Sequence, residues 1–87
     1  AKTAKTAAFN ATTIDYALPQ NAHVYINVFD ITGKEIATLV NANEQFGKHS
    51  VQWDGRLKNG RLAPSGIYFY RIRAADFSQV KKLLFVQ

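Results

Sequence analysis

Two histidines, one tryptophan, four tyrosines and no cysteine bound the chemistry open to this 87-residue chain. An Asp-His-Ser set can be assembled from Asp54, His49 and Ser65, but nothing around Ser65 resembles a nucleophile elbow, and these residue types co-occur by chance in most chains of this length. His49 reads instead as a strand residue beside Trp53. Asp54 and Asn59 offer oxygen ligands for a hard cation in a glycine-bearing loop. Arg56, Lys58 and Arg61 alternate with them and would repel the ion, so turn formation is the better account of both residues. The absence of cysteine removes thiolate metal sites, a cysteine nucleophile and disulfides. The expectation is a chain with no catalytic residue, no metal and no cofactor.

Binding chemistry is the alternative to catalysis. Trp53, Tyr25, Tyr68 and Tyr70 would make a sugar-stacking platform if one face exposed them all, and Phe69 with Arg71 and Arg73 suggests a base-stacking strand. Aromatic residues at strand spacing more often fill a core, and no nucleic-acid motif accompanies the arginines. Nucleic acid is therefore not expected, and polysaccharide is kept as the binding alternative. Eleven Lys and Arg against six Asp and Glu give a net charge of +5, with no basic run longer than Lys81-Lys82. That scatter reads as a solvated surface and not as a dedicated anion patch. The longest purely apolar run, Leu83 to Val86, is too short to span a bilayer.

The elements that would carry these residues follow from alternation. Residues 1–8, AKTAKTAA, contain nothing large to bury and read as a linker or tail; Phe9 is the first residue that would gain from burial, so the domain is placed at 9–87. Thr12 to Leu18 alternates and is closed by Pro19-Gln20-Asn21. His23 to Ile31 alternates again, with Val24, Ile26 and Val28 turned inward and Tyr25 and Phe29 on a partly covered outer face. Glu35 to Val40 completes a hairpin across Gly33, with a bulge near Ala37-Thr38 because Ile36 and Leu39 break strict alternation. Asn41 to Gly47 is read as a polar crossing between sheets. His49, Val51 and Trp53 share one face of the next strand.

The corner from Val51 to Tyr70 organises the rest. Trp53 ends one strand, Asp54-Gly55 and Asn59-Gly60 are tight-turn dipeptides, a short strand is placed at Arg61–Ala63, and Gly66 precedes the aromatic strand carrying Tyr68 and Tyr70. Two arginines are costly to bury, so the tyrosine face should be the inner one. Ala75 to Ser78 turns the chain into a last strand, Gln79 to Val86. Its end is apolar on both faces, which predicts a central or covered position. The fold class is all-β, an immunoglobulin-like antiparallel β-sandwich of about seven strands.

In this order the segments FNATTIDYALP, VYINVFDITGKEIATLV, GKHSVQWDGR, NGRLAPSGIYFYRI and KKLLFVQ resemble the C-terminal sorting domain of type IX secretion substrates and the related Ig-like domain of flagellar hook-capping proteins. The sorting resemblance implies a non-catalytic module at the end of a larger secreted protein, recognised after periplasmic transit by outer-membrane secretion machinery and delivered to the cell surface. It would carry the sorting signal on Lys81, Lys82, Leu83, Leu84, Phe85 and Val86, with Trp53, Asp54, Gly55, Gly66, Tyr68 and Tyr70 as structural residues. The chain does not begin with methionine and is read as a piece excised from a longer protein; its expected partners are that machinery and its own upstream domain, and its expected state is a monomer.

Overall fold

Which side chains meet in this chain is decided by alternation interrupted at two bulges. The computed structural model describes residues 12–86, and the expectations placed on residues 1–8, Phe9 and Gln87 lie outside the described residues. Within them the chain forms six strands: β1 (Thr12–Leu18), β2 (Ala22–Phe29), β3 (Glu35–Glu44), β4 (Gly47–Trp53), β5 (Gly66–Ala74) and β6 (Phe77–Phe85). β1 and β4 pair antiparallel as one sheet, Thr12 opposite Trp53 and Leu18 opposite Gly47. The other sheet has the order β3-β2-β5-β6, every neighbour antiparallel. This is the immunoglobulin-like all-β sandwich expected from alternation, with one strand fewer.

The missing strand is Arg61–Ala63. It is confined between the Gly60 turn, at φ 86°, and Pro64, which has no N–H to give a ladder. Only an isolated bridge between Arg56 and Leu62 remains. A second difference lies at Asn41 to Glu44, which continues β3 opposite Ala22 to Tyr25 and does not cross between sheets. An edge strand can be polar along its outer face, so polarity there did not mean loop. The crossing is made by Gln45 and Phe46, with Gly47 at φ 115° opening β4 and the Phe46 N–H held by Asn21 Oδ1 at 2.8 Å.

The bulge in β3 is real and doubled. Register shifts between Ile26 and Asn27 and between Val28 and Phe29 leave Leu39 and Ile36 as the residues without a partner on β2, the same two that break alternation. Val24, Ile26 and Val28 are fully buried, as the pattern of β2 requires. The buried side chains form two clusters. Trp53, Tyr68, Leu83, Phe85, Val28, Ala37 and Ala63 fill one end; Ile14, Leu18, Val24, Ile26, Ile72 and Ala74 fill the other, and Leu39 and Tyr70 touch both.

β6 departs from expectation most. It pairs with β5 alone and is the edge of its sheet, neither central nor covered. The facing sheet has only two strands, so just Leu83 and Phe85 of β6 reach the core, and the six residues from Phe77 to Lys82 are exposed on both faces.

Candidate functional site

Three polar or aromatic groupings could carry a function, and the corner after Trp53 is the most built. The Trp53 indole packs edge-on to Tyr68 with ring centroids 5.2 Å apart and lies 5.2 Å from Phe85. Its Nε1–H donates to the Arg56 carbonyl at 3.0 Å, and the Tyr68 hydroxyl donates to the Pro64 carbonyl at 2.6 Å. Each ring thus buries its apolar body and spends its polar tip on the loop that joins β4 to β5. Burial, then the charge of Asp30, pushes the Tyr68 hydroxyl above its usual pKa range. Asp54 accepts from the Arg56 N–H at 3.0 Å, and Asn59 from the Arg61 N–H at 2.9 Å, so both side chains serve turns. Gly55 sits at φ 85° directly against the Phe85 ring, where a Cβ would collide. Gly66 opens β5 opposite Phe85, and Tyr70, half-buried, bridges the clusters. The corner closes a core, with Trp53, Tyr68 and Phe85 all buried in one cluster.

The second grouping joins sheets at the β3–β4 crossing. Tyr16 stacks on His49 at 5.3 Å, the Tyr16 hydroxyl donates to Glu44 Oε1, and His49 meets Glu44 at 3.7 Å and the Gln45 carbonyl at 2.7 Å. Burial, with the Glu44 carboxylate beside it, raises the Tyr16 pKa strongly. Held protonated, this phenol does not serve as a base, the His49 Nε2 is taken by the Gln45 carbonyl, and Asp54 serves the Arg56 turn. Asp54 and His49 thus each serve a local contact of their own loop. Among the described residues no group of His, Cys, Asp or Glu is placed to hold a metal ion.

The third grouping is the outer face of the four-stranded sheet. Arg71 lies over the Phe29 ring and Arg73 over the Tyr25 ring, each 5.0 Å from the centroid. Beside them His23 is bracketed by Asn41 and Asn43, each Oδ1 2.7 Å from a ring nitrogen. Sequence reasoning missed these stacks. The signal was there in two aromatics at i, i+4 on β2 and two arginines at i, i+2 on β5, but only the register, with Arg73 opposite Tyr25, brings them together.

The residues assigned to a sorting signal do not act as one surface. Leu83 and Phe85 are core residues, whereas Lys81, Lys82, Leu84 and Val86 are exposed. The sugar platform also dissolves, since Trp53 and Tyr68 are buried and Tyr25 lies under Arg73 on the other side of its sheet.

Comparison with known proteins identifies the scaffold. The family described as the FlgD Ig-like domain matches residues 1–77. No curated protein matches the chain. Among solved structures, a crystal structure of FlgD from P. aeruginosa superposes with a TM-score of 0.69 at 23% identity, covering 85% of this chain and 57% of that one. The chain thus spans little more than half of the protein it superposes on. These findings overturn the type IX sorting assignment and its secretory role, since both comparisons lead to FlgD. The misreading has a physical cause. The segments Val51-Gln52-Trp53-Asp54-Gly55 and Ser65-Gly66-Ile67-Tyr68-Phe69-Tyr70 build the aromatic corner, and motifs that close a core are shared by relatives whose functions differ. The matching family is a structural Ig-like module and not an enzyme, and this chain belongs to the FlgD Ig-like domain family.

Proposed function

We propose that this chain is a structural module of a FlgD-type flagellar hook-capping protein, one part of a longer polypeptide that works outside the cytoplasm by holding other proteins. The observation that carries this reading is the family match across residues 1–77. Two features of the molecule support it. Trp53 and Tyr68 are spent on the core, and the depressions around His23 are open to solvent. What the fold leaves available is sheet surface and strand edge, the material of protein contacts. The test is an in-frame deletion of codons 12–86 in the parent gene of the source bacterium. Basal bodies without completed hooks in electron micrographs, with the truncated parent still detected by immunoblot, are expected. Hooks of normal length and number would overturn the proposal.

A further inference from the structure

Among the described residues, β6 is one long strand edge guarded by charge. β3, the opposite edge of the same sheet, is broken by bulges at Ile36 and Leu39; its Ile36 carbonyl is taken by the Lys58 N–H at 3.0 Å, and Glu35 is bridged to Lys58 at 2.9 Å. β1 and β4 are each seven residues long. β6 is different. Its nine residues pair with β5 in unbroken register from Gly66 opposite Phe85 to Ala74 opposite Phe77, so no bulge interrupts it. No backbone hydrogen bond from the loops reaches its far side among the described residues. A long, regular edge with free N–H and C=O groups is a template for another strand.

The side chains along this edge define what would pair with it. On the outer face Val80 and Leu84 stand 59% and 66% exposed, next to Ile67 at 43% across the ladder. Lys82 lies between them, opposite Phe69, and Arg71 is opposite Val80. From Ile67 to Gln87 the chain carries Arg71, Arg73, Lys81 and Lys82 against a single carboxylate, Asp76, in the turn. The described residues give none of these four cations an ion pair. A second copy is a poor occupant, because antiparallel pairing of β6 with itself about its centre sets Lys81 against its own copy. An extended segment that alternates acidic and apolar residues fits the two faces of β6: its apolar side chains cover Val80, the stem of Lys82 and Leu84 on the outer face, and its carboxylates, on the opposite face, meet Lys81.

We infer that β6 is a strand-addition site for an extended acidic-apolar segment of a partner protein. Main-chain bonds to β6 supply register, and Lys81, which also opposes self-pairing of the edge, selects the charge of the incoming strand. The inference rests on the edge itself and not on the hook-cap reading, so the two can fail separately.

The experiment uses the whole 87-residue protein and a labelled nine-residue probe alternating glutamate with valine, followed by fluorescence anisotropy and amide hydrogen exchange. The probe is expected to bind at least tenfold more tightly than an all-glutamate or a lysine-valine peptide of the same length, and to slow exchange of amides between Ser78 and Leu83 while β1 and β4 are unchanged. Lys81→Gln should weaken binding severalfold, and Lys81→Glu should reverse the preference toward the lysine-valine peptide; the side chain is exposed, so the fold is expected to hold. Equal binding of the all-glutamate peptide, absence of binding, or protection elsewhere would overturn the site. So would peptide-free dimers in light scattering with β6 amides protected, which would make a second copy the occupant.

Discussion

At the residue scale, Gly55 and His23 show how much one position can carry. Gly55 and Gly60 have nearly the same φ, 85° and 86°, yet a Cβ at Gly55 would collide with the Phe85 ring and a Cβ at Gly60 would meet open space. Gly60→Ala should therefore cost only the left-handed backbone strain, about 1 to 2 kcal/mol. Gly55→Ala should cost that plus overpacking of Phe85, together about 2 to 5 kcal/mol. Urea unfolding of the two variants isolates the clash as their difference; equal losses would show that Phe85 moves aside without strain. His23 answers to pH. Its pKa is raised above the ordinary 6.5, first by the hydrogen bond to Asn41 and then by that to Asn43, because both ring N–H groups are used only by the imidazolium. The folded-state pKa lies above the unfolded one, so the contribution to stability is fully present below 6.5 and is lost as pH rises through the folded value. An NMR titration of the His23 ring should show a midpoint above 6.5 that falls in the Asn41→Ala, Asn43→Ala double variant; a midpoint unmoved by that change would remove the asparagines as its cause.

At the element scale, the turn between β5 and β6 holds the chain's one strained residue outside glycine among those described. Ala75 has φ 54° in a two-residue connection between Ala74 and Phe77, which pair across the ladder. A positive φ in such a turn suits glycine or asparagine, since a Cβ crowds the backbone there. Ala75→Gly should relieve that strain while loosening the unfolded chain, for a net gain of about 0.5 to 1 kcal/mol measured by thermal or urea unfolding. A loss would mean that the Ala75 methyl packs favourably enough to offset its backbone cost. The same turn shows where alternation stopped being informative. The inward faces of β2, β4 and β5 were legible because one apolar face of each meets the core. The ends of β3 and β6 were not legible, because strand boundaries in polar edge segments depend on pairing with a neighbour, and the neighbour is chosen by topology. The apolar run from Leu83 to Val86 suggested a central strand; in the structure Leu83 and Phe85 serve the core and Leu84 and Val86 face solvent at an edge. The strand-edge site was hidden for the same reason, while the corner of Trp53 and Tyr68 was visible in its turn dipeptides and its aromatic spacing.

At the scale of the whole molecule, the question is whether two sheets of unequal size unfold together. The two-stranded sheet is tied to the four-stranded one through side chains, with Ile14, Leu18 and Trp53 as its buried contributions. Ile14 and Leu18 belong to one cluster and Trp53 to the other, so the small sheet has a stake in both ends of the core. Leu39 and Tyr70 touch both clusters and make them one interior. With no disulfide to staple the halves, this continuity is what makes the domain cooperative. Guanidinium unfolding followed by Trp53 fluorescence, which reports one cluster, and by far-UV circular dichroism, which reports all six strands, should therefore give coincident transitions. Tyr70→Ala removes a half-buried ring from the junction and should lower stability by about 2 to 4 kcal/mol. In that variant the tryptophan transition should also separate from the circular-dichroism transition, because the cluster around Ile14 and Ile72 would lose its main contact with the cluster around Trp53. Transitions that stay coincident at reduced stability would assign the coupling to Leu39 and the shared backbone of β2 and β5.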